Sequence, residues 1–235
     1  MKKFFLVSIF FVFVNLFSFS QSFLKGADLS SLQQYEDLGV KFFDENKNQI
    51  PDVINFFADK NLDCVRFRIW VNPELAQENS TKTKYCNLEN TIKMAKRVKS
   101  FGMKVLIDFH YSDYWADPSQ QTIPKKWKEK LSSKNEEDAK TELQKILFNY
   151  TTEALQKFKY ENIQVDFVQI GNEITNGILF PYGTIKEKGS DVQKFSDLAS
   201  ILKEGINATR KIFPESKIIL HIDSSGDLSR SLWWF

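Results

Sequence analysis

The chain has 235 residues and a formal net charge of +2, and Lys2 and Lys3 alone match that excess. The remainder is close to neutral, which argues against a nucleic-acid partner. The 22 Phe and 5 Trp give enough apolar bulk for one large core, with indole rings to spare for a binding cleft.

Met1-Lys2-Lys3 is a basic start, Phe4 to Phe19 is apolar apart from Ser and Asn, and Ser18-Phe19-Ser20 offers small residues for cleavage before Gln21. Residues 1–20 therefore read as a signal peptide, with residues 21–235 as the domain. The apolar run is short for a membrane span of about 20 residues, so export without stable membrane insertion is expected.

From Phe23 the chain alternates strand and helix. Phe23–Asp28 predicts a first strand, followed by a polar loop and a helix over Ile50–Lys60 with Val53, Ile54, Phe56 and Phe57 on one side. Cys64–Trp70 predicts strand two, closed by Asn72-Pro73, and Leu88–Phe101 a helix stopped by Gly102. Lys104–His110 predicts strand three, then a long loop over Tyr111–Asn135 and a helix over Glu136–Tyr160. Strand four begins at Val165 and ends in Gly171-Asn172-Glu173. A helix over Asp191–Phe213, stopped by Pro214, leads to strand five at Lys217–Asp223, and Trp233-Trp234-Phe235 reads as part of the next loop.

Strands without polar alternation, each separated by a helix, predict a parallel sheet covered by helices. Long, Trp-, Asp- and Asn-rich loops follow the strands and short turns follow the helices, as in a βα barrel whose site lies at the C-terminal face. The competing doubly wound fold carries a glycine-rich phosphate turn after strand one. Here that turn reads Gly26-Ala-Asp-Leu-Ser-Ser31, which lacks it. Export permits a disulfide, but Cys64 and Cys86 fall at opposite ends of a strand, about 20 Å apart at ~3.3 Å per residue. Bridging needs Cα atoms within about 7 Å, so two free thiols are expected.

Residues two apart share a strand face. That pairs Arg66 with Arg68, Asp108 with His110, Gln169 with Gly171 and Glu173, and His221 with Asp223. Should these faces point inward, Arg66, His110, Asn172, Glu173 and His221 converge on one cleft. Plainer roles stand beside this: Arg66 as a core Arg paired with Asp108, His110 and His221 as satisfied core histidines, Glu173 as a solvated loop acid. Two His and a Glu also suit zinc, but zinc barrels of the amidohydrolase kind carry His-x-His on the first strand. This first strand has no His, so no metal or other cofactor is expected. A strand-end carboxylate flanked by Arg and His suits glycoside hydrolysis, with Trp115 and Trp233-Trp234 as candidate sugar platforms.

Gly26-Ala-Asp-Leu-Ser, Val65-Arg-Phe-Arg-Ile-Trp-Val-Asn-Pro73, Ile107-Asp-Phe-His-Tyr-Ser-Asp113 with Trp115-Ala-Asp-Pro118, Gly171-Asn-Glu173 and His221-Ile-Asp223 follow one another along the chain. Together they resemble the arabinogalactan endo-β-1,4-galactanases, glycoside hydrolase family 53. The resemblance implies a (β/α)8 TIM-type barrel, of which about five βα units are legible here, with the domain incomplete at its C-terminus. It implies a retaining enzyme acting on (arabino)galactan, a monomer when full length, with Glu173 as general acid/base and Asn172 on the sugar 2-hydroxyl. By the same resemblance Arg66 and His110 support the site, and Asp28, Trp115, His221 and Asp223 line the cleft. The family's nucleophile, a Glu at the end of strand seven, has no counterpart among five strands, so the chain alone is expected to be inactive. A mannanase or cellulase sharing the Asn-Glu pair, or a non-catalytic glycan-binding protein, are the alternatives.

Overall fold

The computed structural model describes residues 23–76, 84–185, 195–223 and 226–235; residues 1–20, expected to be a signal peptide, lie outside them. Five parallel strands form the main sheet: β1 (Gly26–Asp28), β4 (Cys64–Ile69), β5 (Lys104–Phe109), β6 (Phe167–Ile170) and β9 (Lys217–Ile219), in that spatial order. Neighbours in the sheet follow one another along the chain, so the sheet grows in one direction without a reversal point. That is the order of a barrel arc, since a doubly wound sheet reverses.

The two sheet faces differ in composition. Val65, Phe67 and Ile69 on β4, Val105, Ile107 and Phe109 on β5, and Val168 and Ile170 on β6 are all buried in one apolar core. The helices α2 (Val53–Asp59), α3 (Leu88–Ser100), α5 (Glu136–Tyr160) and α6 (Phe195–Ile212) contribute to that core. Each such side chain stabilises the fold by about 1.5–3 kcal/mol. The other face carries Arg66, Arg68, Asp108 and Gln169, and below them Leu106, Phe167 and Ile219 are only half-buried around a cavity of about 360 Å³.

Local signals explain the helices. Asn135 caps α5 by accepting from the Asp138 amide at 2.9 Å, and Glu136, Glu137 and Asp138 occupy its first turn, with Lys157 and Lys159 in its last. Both ends favour the helix dipole. Asp52 caps α2 and Asn87 caps α3 in the same manner.

Several expectations are corrected. The polar loop after β1 contains α1 (Leu32–Asp37) and an antiparallel hairpin of β2 (Phe42–Phe43) and β3 (Gln49–Ile50). Ile50 therefore belongs to a strand, and α2 starts at Val53 because Asp52 caps it. The long loop after β5 contains α4 (Lys125–Leu131), whose Trp127 and Leu131 fill the core. Strand five pairs only over Lys217–Ile219; beyond it the Asp223 amide donates to Thr175 Oγ1 instead of a ladder partner. The C-terminal Trp pair lies on α7 (Leu228–Trp234), whose start Asp227 caps. A second small hairpin pairs β7 (Gly177–Ile178) with β8 (Gly183–Thr184).

Cys64 and Cys86 are both buried and free, at opposite ends of β4: the Trp70 amide donates to Cys86 O at 2.8 Å. Burial pushes the Cys64 thiol up to about 11 and raises Cys86 as well. A thiol titration should find two thiols only after denaturation, with slow labelling of the native chain. Fast native labelling of both would contradict their burial.

Candidate active site

In the parallel register Asp28 stands beside Arg66, Arg68 beside Asp108, and Asp108 beside Gln169. Arg66 joins the ends of these strands. Its Nη1 donates to the Asp28 carboxylate, and its Nη2 donates to Asp108 Oδ2 at 2.5 Å and to Asn172 Oδ1 at 2.9 Å. Its Nε donates to Gln169 Oε1 at 3.3 Å. The core pairing of Arg66 with Asp108 is therefore present, and it forms part of the same cluster as Asn172. Asp108 is fully buried, and its Oδ1 accepts from Gln169 Nε2 at 2.7 Å. The other hydrogen of that amide goes to Gly171 O at 2.9 Å, so Gln169 braces the turn that presents Glu173.

His110 Nδ1 accepts from the Ala116 amide at 3.0 Å, which puts the ring proton on Nε2. Nε2 lies 3.0 Å from Asp108 Oδ2 but too obliquely for a hydrogen bond, so their contact is electrostatic. Asn172 Nδ2 donates to Ala116 O at 2.8 Å, which orients its amide. Its Oδ1 therefore accepts, and His221 Nδ1, 2.9 Å away, must donate to it. A protonated Nδ1 cannot also accept, so the Glu173 amide at 3.4 Å is a contact rather than a partner.

Burial and the nearby Arg66 charge lower the His221 pKa, outweighing Asp108 and Glu173, which raise it. Its ring is neutral at neutral pH. Below its ordinary value of 6.5 the unfolded chain takes up a proton that the folded ring resists. His221 thus makes stability fall as pH drops below 6.5 toward the folded value. His221→Asn should flatten the decline of melting temperature across that window; an unchanged decline would show that His221 does not drive it.

Glu173 sits at φ +49°, in the left-handed region, and starts a single 3-10 turn over Ile174–Asn176. A non-glycine residue there stores roughly 1–3 kcal/mol of strain, a cost concentrated at functional sites. Gly171 at φ +83° makes the turn possible, because a Cβ there would meet Ile174 Cγ2 at 2.6 Å. Gln121 Nε2 holds the turn from the far side, donating to Asn172 O at 2.8 Å. Among the described residues the Glu173 carboxylate makes no hydrogen bond or ion pair. The other strand-end acids are engaged: Asp28 and Asp108 with Arg66, and Asp223 with the Thr175 hydroxyl. Burial alone would raise Asp28, but Ser30 and the two Arg charges hold it below the usual range.

Trp115 is 39% exposed, with the Arg68 guanidinium 4.7 Å from its ring centre and the His110 ring 5.6 Å away. Asp113, the end of the strand-three motif, anchors loops by accepting from the Asn72 and Lys125 amides. Arg66, His110, Asn172, Glu173, His221, Asp28 and Trp115 thus come together, and Asp223 hangs at the edge. Trp233 and Trp234 do not join them; both rings pack on Phe195. Gln169, Gln121 and Thr175 were not among the candidates. Strand parity marked Gln169, whereas Gln121 and Thr175 lie in loops that give no such signal. Among the described residues no cluster of three or more His, Cys, Asp or Glu could hold a metal ion.

The family model described as "Glycosyl hydrolase family 53" matches residues 24–235. The chain belongs to glycosyl hydrolase family 53. It is 36% identical over 217 residues to an arabinogalactan endo-beta-1,4-galactanase of Cellvibrio japonicus, covering 91% of this chain and 52% of the relative. The solved family 53 catalytic domain of Ignisphaera aggregans superposes with a TM-score of 0.72 at 34% identity, over 85% of this chain and 51% of that one. A structure from work on two fungal beta-1,4-galactanases gives 0.74 at 32% identity, over 90% and 57%. The family 53 chain therefore spans about half the length of the curated relatives it matches. Its fold is of the (β/α)8 barrel type, with five of the parallel barrel strands among the described residues. No described helix is long and apolar enough to cross a membrane.

Proposed function

We propose that this chain supplies the acid/base side of an exported endo-β-1,4-galactanase that cleaves (arabino)galactan with retention. The observation that carries this reading is the free carboxylate of Glu173, held at a strand end beside the Arg66–Asn172–His221 network while the other strand-end acids are occupied. Glu173 protonates the departing glycosidic oxygen as a nucleophile from beyond the described residues attacks the anomeric carbon. It then removes a proton from the water that releases the covalent galactosyl intermediate. No metal or cofactor enters these steps.

Asn172 keeps one Nδ2 hydrogen free after its bond to Ala116 O, so it meets the sugar 2-hydroxyl as a donor. Arg66 and His110 hold that geometry, Asp28 and His221 line the cleft, Asp223 closes its edge, and Trp115 offers an apolar platform. Residues 1–20 direct export and residues 21–235 belong to the barrel domain of a monomer. N-terminal sequencing of exported protein should begin at Gln21.

The test of substrate is a fusion of this chain to the C-terminal half of the Cellvibrio japonicus relative, assayed on galactan, mannan and carboxymethylcellulose. Reducing ends from galactan are expected; reducing ends from mannan or carboxymethylcellulose alone would move the chain to another retaining glycosidase activity. A second reading, a non-catalytic glycan-binding protein, is favoured by Glu173 being the one free strand-end acid among the described residues. It predicts retardation in galactan-containing gels without product release, and unretarded migration of folded chain counts against it.

A further inference from the structure

Between the β2–β3 hairpin, α2 and the end of β1 lies a cavity of about 740 Å³ that the hydrolytic reading does not use. It shares Asp28, Arg68 and Trp115 with the candidate site, so the two are continuous. Leu32 and Val53 form a buried floor, and Ile50 and Phe57 pack partly buried against the core beside them. Three aromatic side chains stand exposed at its rim: Tyr35 at 48%, Phe43 at 58% and Trp115 at 39%.

Apart from the Tyr35 hydroxyl at the rim, the polar side chains Asp28, Ser31 and Arg68 lie at the end nearest the site and are engaged there, save for the buried Arg68 Nε, which has no partner among the described residues. Arg68 donates to Ser31 Oγ at 2.8 Å and stacks on Trp115, and Asp28 binds Arg66 and the Ser30 amide. A sugar ring carries hydroxyls around its edge, and each needs a partner when it leaves water. Side chains deep in the cavity offer none. An aromatic ring makes no such demand, fits a volume of this size, and gains from edge and face contacts with Phe and Tyr.

We propose that this cavity receives a planar aromatic group covalently carried by the saccharide, as an aryl glycoside or an aromatic ester, with the sugar on the Trp115 side. The inference rests on the saccharide reading of the adjoining site. It makes the aromatic substituent a determinant of which polysaccharide segments are held.

The test is titration calorimetry of the 235-residue chain with phenyl β-galactoside, methyl β-galactoside and phenyl β-mannoside. The phenyl galactoside should bind about ten-fold tighter than the methyl galactoside. Phe43→Ala and Tyr35→Ala, both at exposed positions, should each remove most of that preference and leave methyl galactoside binding unchanged. No aryl preference, or a preference that survives both truncations, overturns the proposal. Equal affinity for phenyl mannoside and phenyl galactoside would keep the aromatic cavity and count against the galactan reading. Galactoside selectivity without aryl preference would do the reverse.

Discussion

A polypeptide of these 235 residues alone should release no reducing ends from β-1,4-galactan. A retaining glycosidase needs two carboxyls about 5–5.5 Å apart, one to donate a proton and one to attack. Among the described residues the candidate acids at or beyond strand C-terminal ends are Asp28, Asp108, Glu173 and Asp223, with Asp113 just past β5 held by the Asn72 and Lys125 amides. Asp108 is fully buried between Arg66 and Gln169, and an attacking oxygen tied into an ion pair and an amide bond is a poor nucleophile. Asp28 faces two arginines on the edge strand, three strand positions from β6 in the sheet. Asp223 is held by the Thr175 hydroxyl. Glu173 therefore has no attacking partner. Reducing-sugar assays should show background rates for the chain and activity for its fusion to the C-terminal half of a family relative. Activity of the unextended chain, lost on Glu173→Gln, would mean that one of these acids serves as nucleophile.

Arg66→Ala should be the most destabilising single change in the site. It leaves Asp108 charged and fully buried with only an amide and an oblique imidazole beside it. Breaking a buried pair from one side costs about 3–5 kcal/mol. Arg66 is itself a quarter exposed, which places the loss near the lower end of that range. In a domain of this size 1 kcal/mol corresponds to about 2–4 °C, so a loss of about 3 kcal/mol should lower the melting temperature by roughly 6–12 °C. Adding Asp108→Asn to Arg66→Met should recover much of the loss, because removing both charges together leaves nothing unpaired. A denaturant titration that finds less than about 1 kcal/mol for Arg66→Ala would show that water substitutes for Arg66, as at a surface ion pair.

Much of this site was legible because strand periodicity is strict. Once Arg66, Asp108, Gln169 and His221 fall on alternating positions of adjacent parallel strands, their convergence needs only the register. The bounds of α5 were legible at both ends because Asn135, the following acids and the terminal lysines state them. The hairpin β2–β3 was not, since its strands are two residues each and its turn is made by Asp44 accepting from the Asn46 and Asn48 amides. Helix α4 left a readable sign in Pro124 followed by Trp127 and Leu131 four apart, hidden within a Lys-rich stretch. The freedom of the Glu173 carboxylate could not be read from sequence at all, because it depends on where three other acids find their partners.

Glu173 is the proposed proton donor, and a leaving-group comparison tests that role most directly. In the fusion protein, Glu173→Gln should lower galactan turnover by about 10²–10⁴-fold, the usual contribution of a positioned acid. Formation of the glycosyl intermediate from a dinitrophenyl β-galactoside, whose leaving group needs no proton, should stay within about ten-fold of the parent, seen as a burst of phenolate. An equal loss on both substrates would contradict the assignment.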